Sequence, residues 1–571
     1  MFTKTNQGMT LSKVALLLLF IITSLNCGGN DPITEGNEGA DLVLRNGRIY
    51  TVNPTMPWAE SMVVDKGVIV YIGDDTGVTD YLGTNTETLE LNGRMVMPGI
   101  HDVHIHPLEA ASQAITFELN SNETNPERFA RDIENAHYDN PGSGWLIGWG
   151  HSIFTLLDAR RPVKEIIDEV VPDRPVIILE ETSHSAFVNS RALEMAGFDA
   201  NSPDPIGGII MKDEITGEPN GILIDNAGNI VMDMALAPTA ITARQDREGL
   251  VNYMLPELAR HGITSICDAR TYWKRNHHQV WQDIEAANEL TVRVNLGLWA
   301  YPNDADAGQL TQLRNLYSND PSRLLKINQV KIYSDGIVMN TTAAMKTDYR
   351  VNLFGRRLNN GLNYFTQERI GRYIRELESV GFDFHIHAIG NRGITEALNA
   401  IEANSSGSGR HRLTHIEIMS PEDYPRFAAL NVTADAQVAG DFSNPSHWSE
   451  NHEFIGAENS QNVIPLKSLS QANARITLSS DHDVSTLNPF VAMQNAVTRA
   501  PQELSLEEVI RAYTLNGAYV MRQENQVGSL EAGKLADLIV LNQNLFEVHS
   551  NRISSTQVDL TILNGAIIHR R

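Results

Sequence analysis

The chain's 571 residues accommodate one closed barrel of about 250 residues or more together with an accessory domain. A composition 42% hydrophobic and 20% charged excludes collagen-like, disordered and multispanning classes. Forty-five basic against seventy acidic residues give a net charge of −25 with no basic cluster, which repels a phosphate backbone and excludes nucleic acid as a partner.

At the start of the chain, Lys4 and Lys13 precede an apolar run over 14–25 that has the length of a secretory h-region. A bilayer-spanning helix needs about 20 residues, so this run reads as an export signal rather than a span. It ends at Cys27-Gly28-Gly29-Asn30-Asp31 and resembles a bacterial lipoprotein signal in which Cys27 is acylated. Ser24 and Asn26 depart from that pattern, standing where Leu and a small residue are usual. The expectation is a leader over 1–26, a polar tether over 27–40, and an exported protein whose only tie to a membrane is an N-terminal lipid anchor. A plain cleaved signal, giving a periplasmic or secreted protein, is the simpler alternative. Cys267 is the only other cysteine, so no disulfide framework is available.

Short β-like runs at 41–50, 61–72 and 88–91 follow, broken by Asn-Gly, Lys-Gly and Gly-Asp turns, and predict a small antiparallel sheet unit. The C-terminal runs 536–541 and 558–568, with Asn564-Gly565 as a hairpin turn, have the same texture. Residues 41–97 and 527–571 are therefore expected to form one composite β-sandwich domain, with a barrel domain over 98–526 between them. In that middle region β-like runs alternate with helical stretches, as in a parallel α/β fold. Eight strands are predicted, at 96–106, 263–269, 292–298, 330–334, 383–388, 412–418, 431–436 and 475–481, the number that closes a (β/α)8 TIM-like barrel. The long gap after the first holds further strand-like runs at 145–149 and 176–180, which predicts a subdomain inserted over about 117–240 at the barrel mouth.

Residues two apart on a strand face the same side, so His104 and His106 present two imidazoles to one ion. Lys331, His387, His415 and Asp481 fall on the fourth, fifth, sixth and eighth predicted strands, whose ends assemble a barrel's active site. His385 shares a face with His387 and competes for its role; Lys331 as a surface ion-pair residue and Asp481 as a helix cap are the plainer readings.

These residues sit in stretches that resemble amidohydrolase family 3 of the amidohydrolase superfamily, the group containing N-substituted formamide deformylases. The matching stretches are Met97-Pro98-Gly99 leading to His104 and His106, Val330 to Gly336, His387-Ala388-Ile389-Gly390, Thr414-His415-Ile416-Glu417 and Ser480-Asp481, with the tail 527–538 marking the composite sheet domain. The resemblance implies that His104, His106 and Asp481 hold one divalent metal, zinc, and that His387 and His415 hold a second, with Lys331 bridging as a carboxylated lysine. One metal instead of two stays open. Zinc with an open coordination position lowers the pKa of water toward about 7. Asp481 would then take the proton and pass it to the leaving nitrogen.

The resemblance also extends to 148–151 and 182–189, which in the family reach over the barrel mouth. His184 is the expected carbonyl or substrate contact, with a buried structural histidine as the competing reading. Trp149, Asp335 and His482 are further candidate substrate contacts, packing being the competing role for Trp149. His482 and Asp483 stand where many relatives have Trp-Pro, and Asn391 where relatives usually have Asp, so substrate identity does not transfer. The function expected is hydrolysis of a small linear amide, N-formyl or N-acyl. The alternatives are cyclic-amide hydrolysis, deamination or ester and lactone cleavage in the same scaffold, and, in a different class, a non-catalytic metal- or ligand-binding surface lipoprotein. Self-association is left open.

Overall fold

The computed structural model describes residues 39–440, 444, 445, 448 and 452–571. The expected leader, Cys27 and the tether up to residue 38 lie outside the described residues. Among the described residues no helix is long and apolar enough to cross a membrane.

Eight parallel strands form one sheet in sequential order: Ile100–Ile105, Ile263–Thr271, Arg293–Trp299, Leu325–Tyr333, Asp383–Ala388, Arg412–His415, Thr433–Ala436 and Arg475–Leu478. The last closes on the first where the Asp481 N–H donates to the His104 carbonyl at 2.9 Å and the Ser480 N–H to the Asp102 carboxylate at 3.1 Å. This is the expected (β/α)8 barrel, with differences at strand ends, of which those in the first, fourth and sixth strands have a clear cause. The run predicted at 96–106 is two strands divided at Gly99, because Met95–Pro98 pairs with the C-terminal strand Leu538–Leu541 and only Ile100–Ile105 enters the barrel. The fourth strand starts at Leu325 rather than 330, since its polar Asn328 and Gln329 are satisfied inside the barrel by Asn295 and the Val520 carbonyl. The sixth stops at His415, where His415 and Ile416 take left-handed φ values of 74° and 46° that end strand pairing.

The two chain ends form one sandwich. A six-stranded sheet joins Trp58–Ala59, Arg48–Tyr50 and Met95–Pro98 side by side to Leu538–Leu541, Val558–Leu563 and Ala566–Arg570, and it packs on a four-stranded sheet from 42–90. Alternating inward residues such as Leu42 and Leu44, Met62 and Val64, Leu538 and Val540, and Leu560 and Ile562 fill the space between. The unit is mixed, not purely antiparallel: Leu42–Arg45 runs parallel to Glu87–Glu90, and Arg48–Tyr50 parallel to Met95–Pro98. Asp537, inside the tail motif, binds the buried Arg293 guanidinium at 2.6 Å and ties the sandwich to the foot of the third barrel strand.

The insertion is a six-stranded mixed sheet from Phe117–Glu118 to Pro219–Asp225. Its strands are buried on both faces, with Leu146, Val176 and Ile178 on one side and Ile147 and Ile177 on the other. The sheet's Ser183, His184 and Asp225 reach the barrel mouth.

Candidate metal centre

The period of two on the first strand carries His104 and His106 to the same mouth as Asp481, which follows the eighth strand with a left-handed φ of 53°. Asp481 Oδ1 lies 3.0 Å from His106 Nε2 and 3.2 Å from His104 Nε2, and its Oδ2 lies 4.0 Å from His415 Nδ1. Ring centroids continue the cluster, His104 to His415 at 4.9 Å and His415 to His387 at 4.4 Å. His104, His415 and Asp481 offer ligand atoms all within 4.8 Å of one another. Lys331 points into the same space, fully buried, its Nζ 5.3 Å from the Tyr333 ring. The six residues singled out in the sequence thus meet at one barrel mouth. Left-handed backbone at His415 and Asp481 costs of order 1–3 kcal/mol per residue and concentrates where side chains must be aimed.

Electrostatics at this mouth suit a cation. Burial pushes the Lys331 amine well below the ordinary lysine range; Asp481 opposes this, and Arg412 and Arg270 add to it. Burial likewise holds His104, His387 and His415 neutral, with lone pairs available. Burial disfavours charge on Asp481, but the His104, His106 and His415 imidazoles outweigh it and keep the carboxyl well below its usual range. Among the described residues Lys331 Nζ and His387 Nδ1 are buried without a hydrogen-bond partner, and His104 Nε2, though near Asp481, is not aligned to bond it. His106, against its burial, is raised above the ordinary histidine range by Glu109 and Asp481. Imidazoles held neutral at His104, His387 and His415, a carboxylate and a buried amine, with unpartnered atoms converging, are a donor set that fits a divalent ion. An ammonium at Lys331 would not.

A second tier aims these groups. Thr414 Oγ1 donates to Asp435 Oδ2 at 2.8 Å and lies 2.7 Å from His104 Nδ1. Asp435 also accepts from Thr477 and Ser479. His385, the rival of His387, lies below: its Nδ1 accepts from Arg412 at 2.7 Å and its Nε2 is 3.1 Å from His104 Nδ1. His387 instead faces the cavity, stacked on Tyr333 at 4.1 Å, with Nε2 donating to the Gly336 carbonyl at 3.1 Å.

Over the ligand cluster lies a cavity of about 240 Å³. His184 lines it from the insertion, its ring turned by Asp225 Oδ1 at 2.6 Å from Nδ1. Three of the expected substrate contacts are placed elsewhere. Asp335 is fully buried and accepts backbone N–H bonds from Ala344, Ile389 and Gly390 at 2.8, 3.0 and 2.8 Å, so it secures the loop after His387 and does not line the cavity. His482 donates from Nδ1 to the Ser485 carbonyl at 2.8 Å, turned out of the cavity, and only its own carbonyl meets the site, through the His106 N–H. Trp149 lines an adjoining chamber, not this one.

Four groups at the mouth were not singled out by their residue types: Arg270, Tyr333, Glu417 and Gln437. Tyr333 had a signal, two residues from Lys331 on one strand face. Arg270 had none, since an arginine at a strand end is ordinary until its guanidinium is seen bound to Tyr333 Oη at 3.1 Å and Glu109 at 3.0 Å.

A family model described as the amidohydrolase family matches residues 87–569. The chain belongs to the amidohydrolase family. This family is metal-dependent. The chain is 27% identical over 558 residues to the putative amidohydrolase YtcJ of Bacillus subtilis, covering 93% of this chain and 99% of that one. It is 26% identical over 548 residues to the N-substituted formamide deformylase of Arthrobacter pascens (93% and 98%). It is also 26% identical over 542 residues to Protein LONG AFTER FAR-RED 3 of Arabidopsis thaliana, covering 90% of each. Among solved structures, an uncharacterized metal-dependent hydrolase from Pyrococcus horikoshii superposes with a TM-score of 0.69 at 22% identity, covering 89% of this amidohydrolase and 99% of that chain. That likeness concerns the fold.

Proposed function

We propose that this amidohydrolase cleaves the C–N bond of a small linear amide, of N-formyl or N-acyl type, with one or two zinc ions that His104, His106, His387, His415 and Asp481 would hold, a carboxylated Lys331 joining two of them where two are bound. The observation that carries the reading is the convergence at one barrel mouth of the buried Lys331 amine, unpartnered among the described residues, with the His104, His106, His387 and His415 imidazoles and the Asp481 carboxylate. When bound, the metal supplies Lewis-acid polarisation of the carbonyl and hydroxide from water at neutral pH. The chain's own groups do the rest. Asp481 Oδ2, the oxygen turned away from His104 and His106, takes the proton of the attacking water and delivers it to the leaving nitrogen. His184, its Nδ1 engaged by Asp225, presents Nε2 toward the cavity to hold the carbonyl oxygen. No serine or cysteine nucleophile is needed; Cys267 is buried below the mouth, bonded to Gln329. Identity to a relative named as a deformylase supports the amide class, while His482, Asp483 and Asn391 differ from the family pattern beside the site and leave the acyl group to experiment. With export and acylation at Cys27, the reaction would take place outside the cytoplasm.

The test is a screen of the purified protein against N-substituted formamides, N-acyl amino acids, cyclic amides and esters, with zinc content measured in the same sample. Turnover of formamides or N-acyl compounds is expected. Bound zinc without turnover of any substrate would instead identify a binding protein, and turnover confined to cyclic amides or esters would move the chemistry elsewhere in the family.

A further inference from the structure

Beside the metal-facing cavity lies a second chamber, and the two share Ser183 and Arg270 in their walls. Part of its lining is aliphatic: Leu108, Ile115, Ile147, Leu179, Met232 and Leu236, from the first barrel loop, the inserted sheet and the helix Asn226–Ala235 with its cap. The rest is polar, aromatic or charged, and the charges do not balance, since Arg270 and Arg275 stand against Glu109, Asp246 and Asp483. Arg270 is paired with Glu109 at 3.0 Å and Arg275 with Asp233 at 2.7 Å. Asp246 also lines the chamber, half-buried, and among the described residues its carboxylate has no ion pair and accepts no hydrogen bond. His277, 6% exposed, lines the same space with Nδ1 buried and, among the described residues, unpartnered. A half-buried carboxylate and a buried imidazole nitrogen, neither with a partner among the described residues, are acceptors that a ligand bearing N–H donors would satisfy. The volume, about 60 Å³, is well under the roughly 150 Å³ cavity that accepts benzene, so it suits a chain rather than a ring.

We infer that this chamber is the specificity pocket for the substituent of the amide substrate, a short aliphatic chain ending in an ammonium group that Asp246 and His277 receive. The inference rests on the amide hydrolysis proposed above. The chain passes from the metal-facing cavity between Ser183 and Arg270, its methylenes lie along Ile147, Leu179 and Leu236, and the ammonium offers three N–H donors to two waiting acceptors. A carboxylate in the same place would meet Asp246 as a like charge, and a plain alkyl end would leave Asp246 without a partner.

The test uses the zinc-loaded full chain and two substrate series, one with the chain on nitrogen and one with it on the acyl side. The first compares N-(4-aminobutyl)formamide, N-butylformamide and 4-formamidobutanoate; the second compares 5-aminopentanamide, pentanamide and 4-carboxybutanamide. In one series kcat/KM is expected to be at least tenfold higher for the ammonium than for the alkyl end, with the carboxylate lowest. Asp246→Asn should abolish that advantage and leave the alkyl substrate within about twofold. Leu236→Trp, filling the chamber, should penalise every chain in that series while sparing N-methylformamide. Equal rates for all three ends in both series, or a preference that survives Asp246→Asn, overturns the pocket while amide hydrolysis stands. Failure to hydrolyse any amide would sink the hydrolysis reading instead, and calorimetric titration with butylammonium and butyrate then decides the pocket. Binding of butylammonium that is lost in Asp246→Asn upholds the pocket; no binding, or binding indifferent to the substitution, overturns it.

Discussion

Thr414→Val probes how the centre is aimed without touching any residue proposed to bind metal. For His104 to offer Nε2 to an ion, its proton must sit on Nδ1 and find an acceptor there. Thr414 Oγ1 is that acceptor at 2.7 Å, because its own proton goes to Asp435 at 2.8 Å. Valine keeps the shape and deletes the oxygen. What remains near Nδ1 is His385 Nε2 at 3.1 Å, which carries a proton because Arg412 donates to the other nitrogen of that ring. His104 would then accept at Nδ1, and its proton would move to Nε2, the atom wanted for the metal. Loss of such a partner lowers metal affinity by about 10–100-fold, equivalent to about 1.4–2.7 kcal/mol. The fold should lose only about 1 kcal/mol, since Asp435 retains donors from Thr477, Ser479 and Gln437. Competition against a graded zinc chelator, read beside a denaturation curve, separates the two effects. An affinity within twofold of the parent, in a folded variant, would refute the tautomer argument.

Four further outcomes are expected. Asp481→Asn should keep the fold and lower turnover by about 10² or more, as lost acid–base catalysis does; an unchanged rate would remove Asp481 from proton transfer. Lys331→Ala should abolish turnover and regain part of it on addition of a short carboxylic acid, whereas full activity without the acid contradicts the bridge. Asp335→Asn cannot accept three backbone N–H bonds and should cost about 2–4 kcal/mol in chemical denaturation; parent-like stability would show that those bonds carry little. Burial lifts the Asp246 carboxyl to about 6, with Arg275 opposing and Glu109 adding to the rise. Its charge is present above that pH and lost below it, so the ammonium-over-alkyl preference should fade as pH drops through about 6. In Asp246→Asn the ratio of the two kcat/KM values should be flat with pH, and a parallel fade there would assign the effect to another group.

Local periodicity reached far into this protein. His104 and His106 two apart on a strand, eight β-like runs in the middle of the chain and matching textures at its two ends are properties of neighbouring residues, and backbone geometry alone turns them into faces and elements. The division at Gly99 was not legible, because both halves of 96–106 favour strand and only the partner strand Leu538–Leu541 decides which sheet takes Met95–Pro98. Nor was the start of the fourth barrel strand, since Asn328 and Gln329 oppose a strand reading until the interior supplies their partners.

At the mouth, residue type named the groups able to hold a cation, and closure of the barrel decided what each one faces. His387 meets the cavity and His385 lies beneath it, although both share one strand face, because they sit at different depths of the same cylinder. Asp335 and His482 carry the right chemistry and are spent on backbone groups, whereas Arg270 and Asp246 acquire meaning only from walls built by the insertion. Hydrogen-bond partners and desolvation depend on segments hundreds of residues apart, so sequence by itself determined which side chains were available, and tertiary packing decided which of them remain free to act.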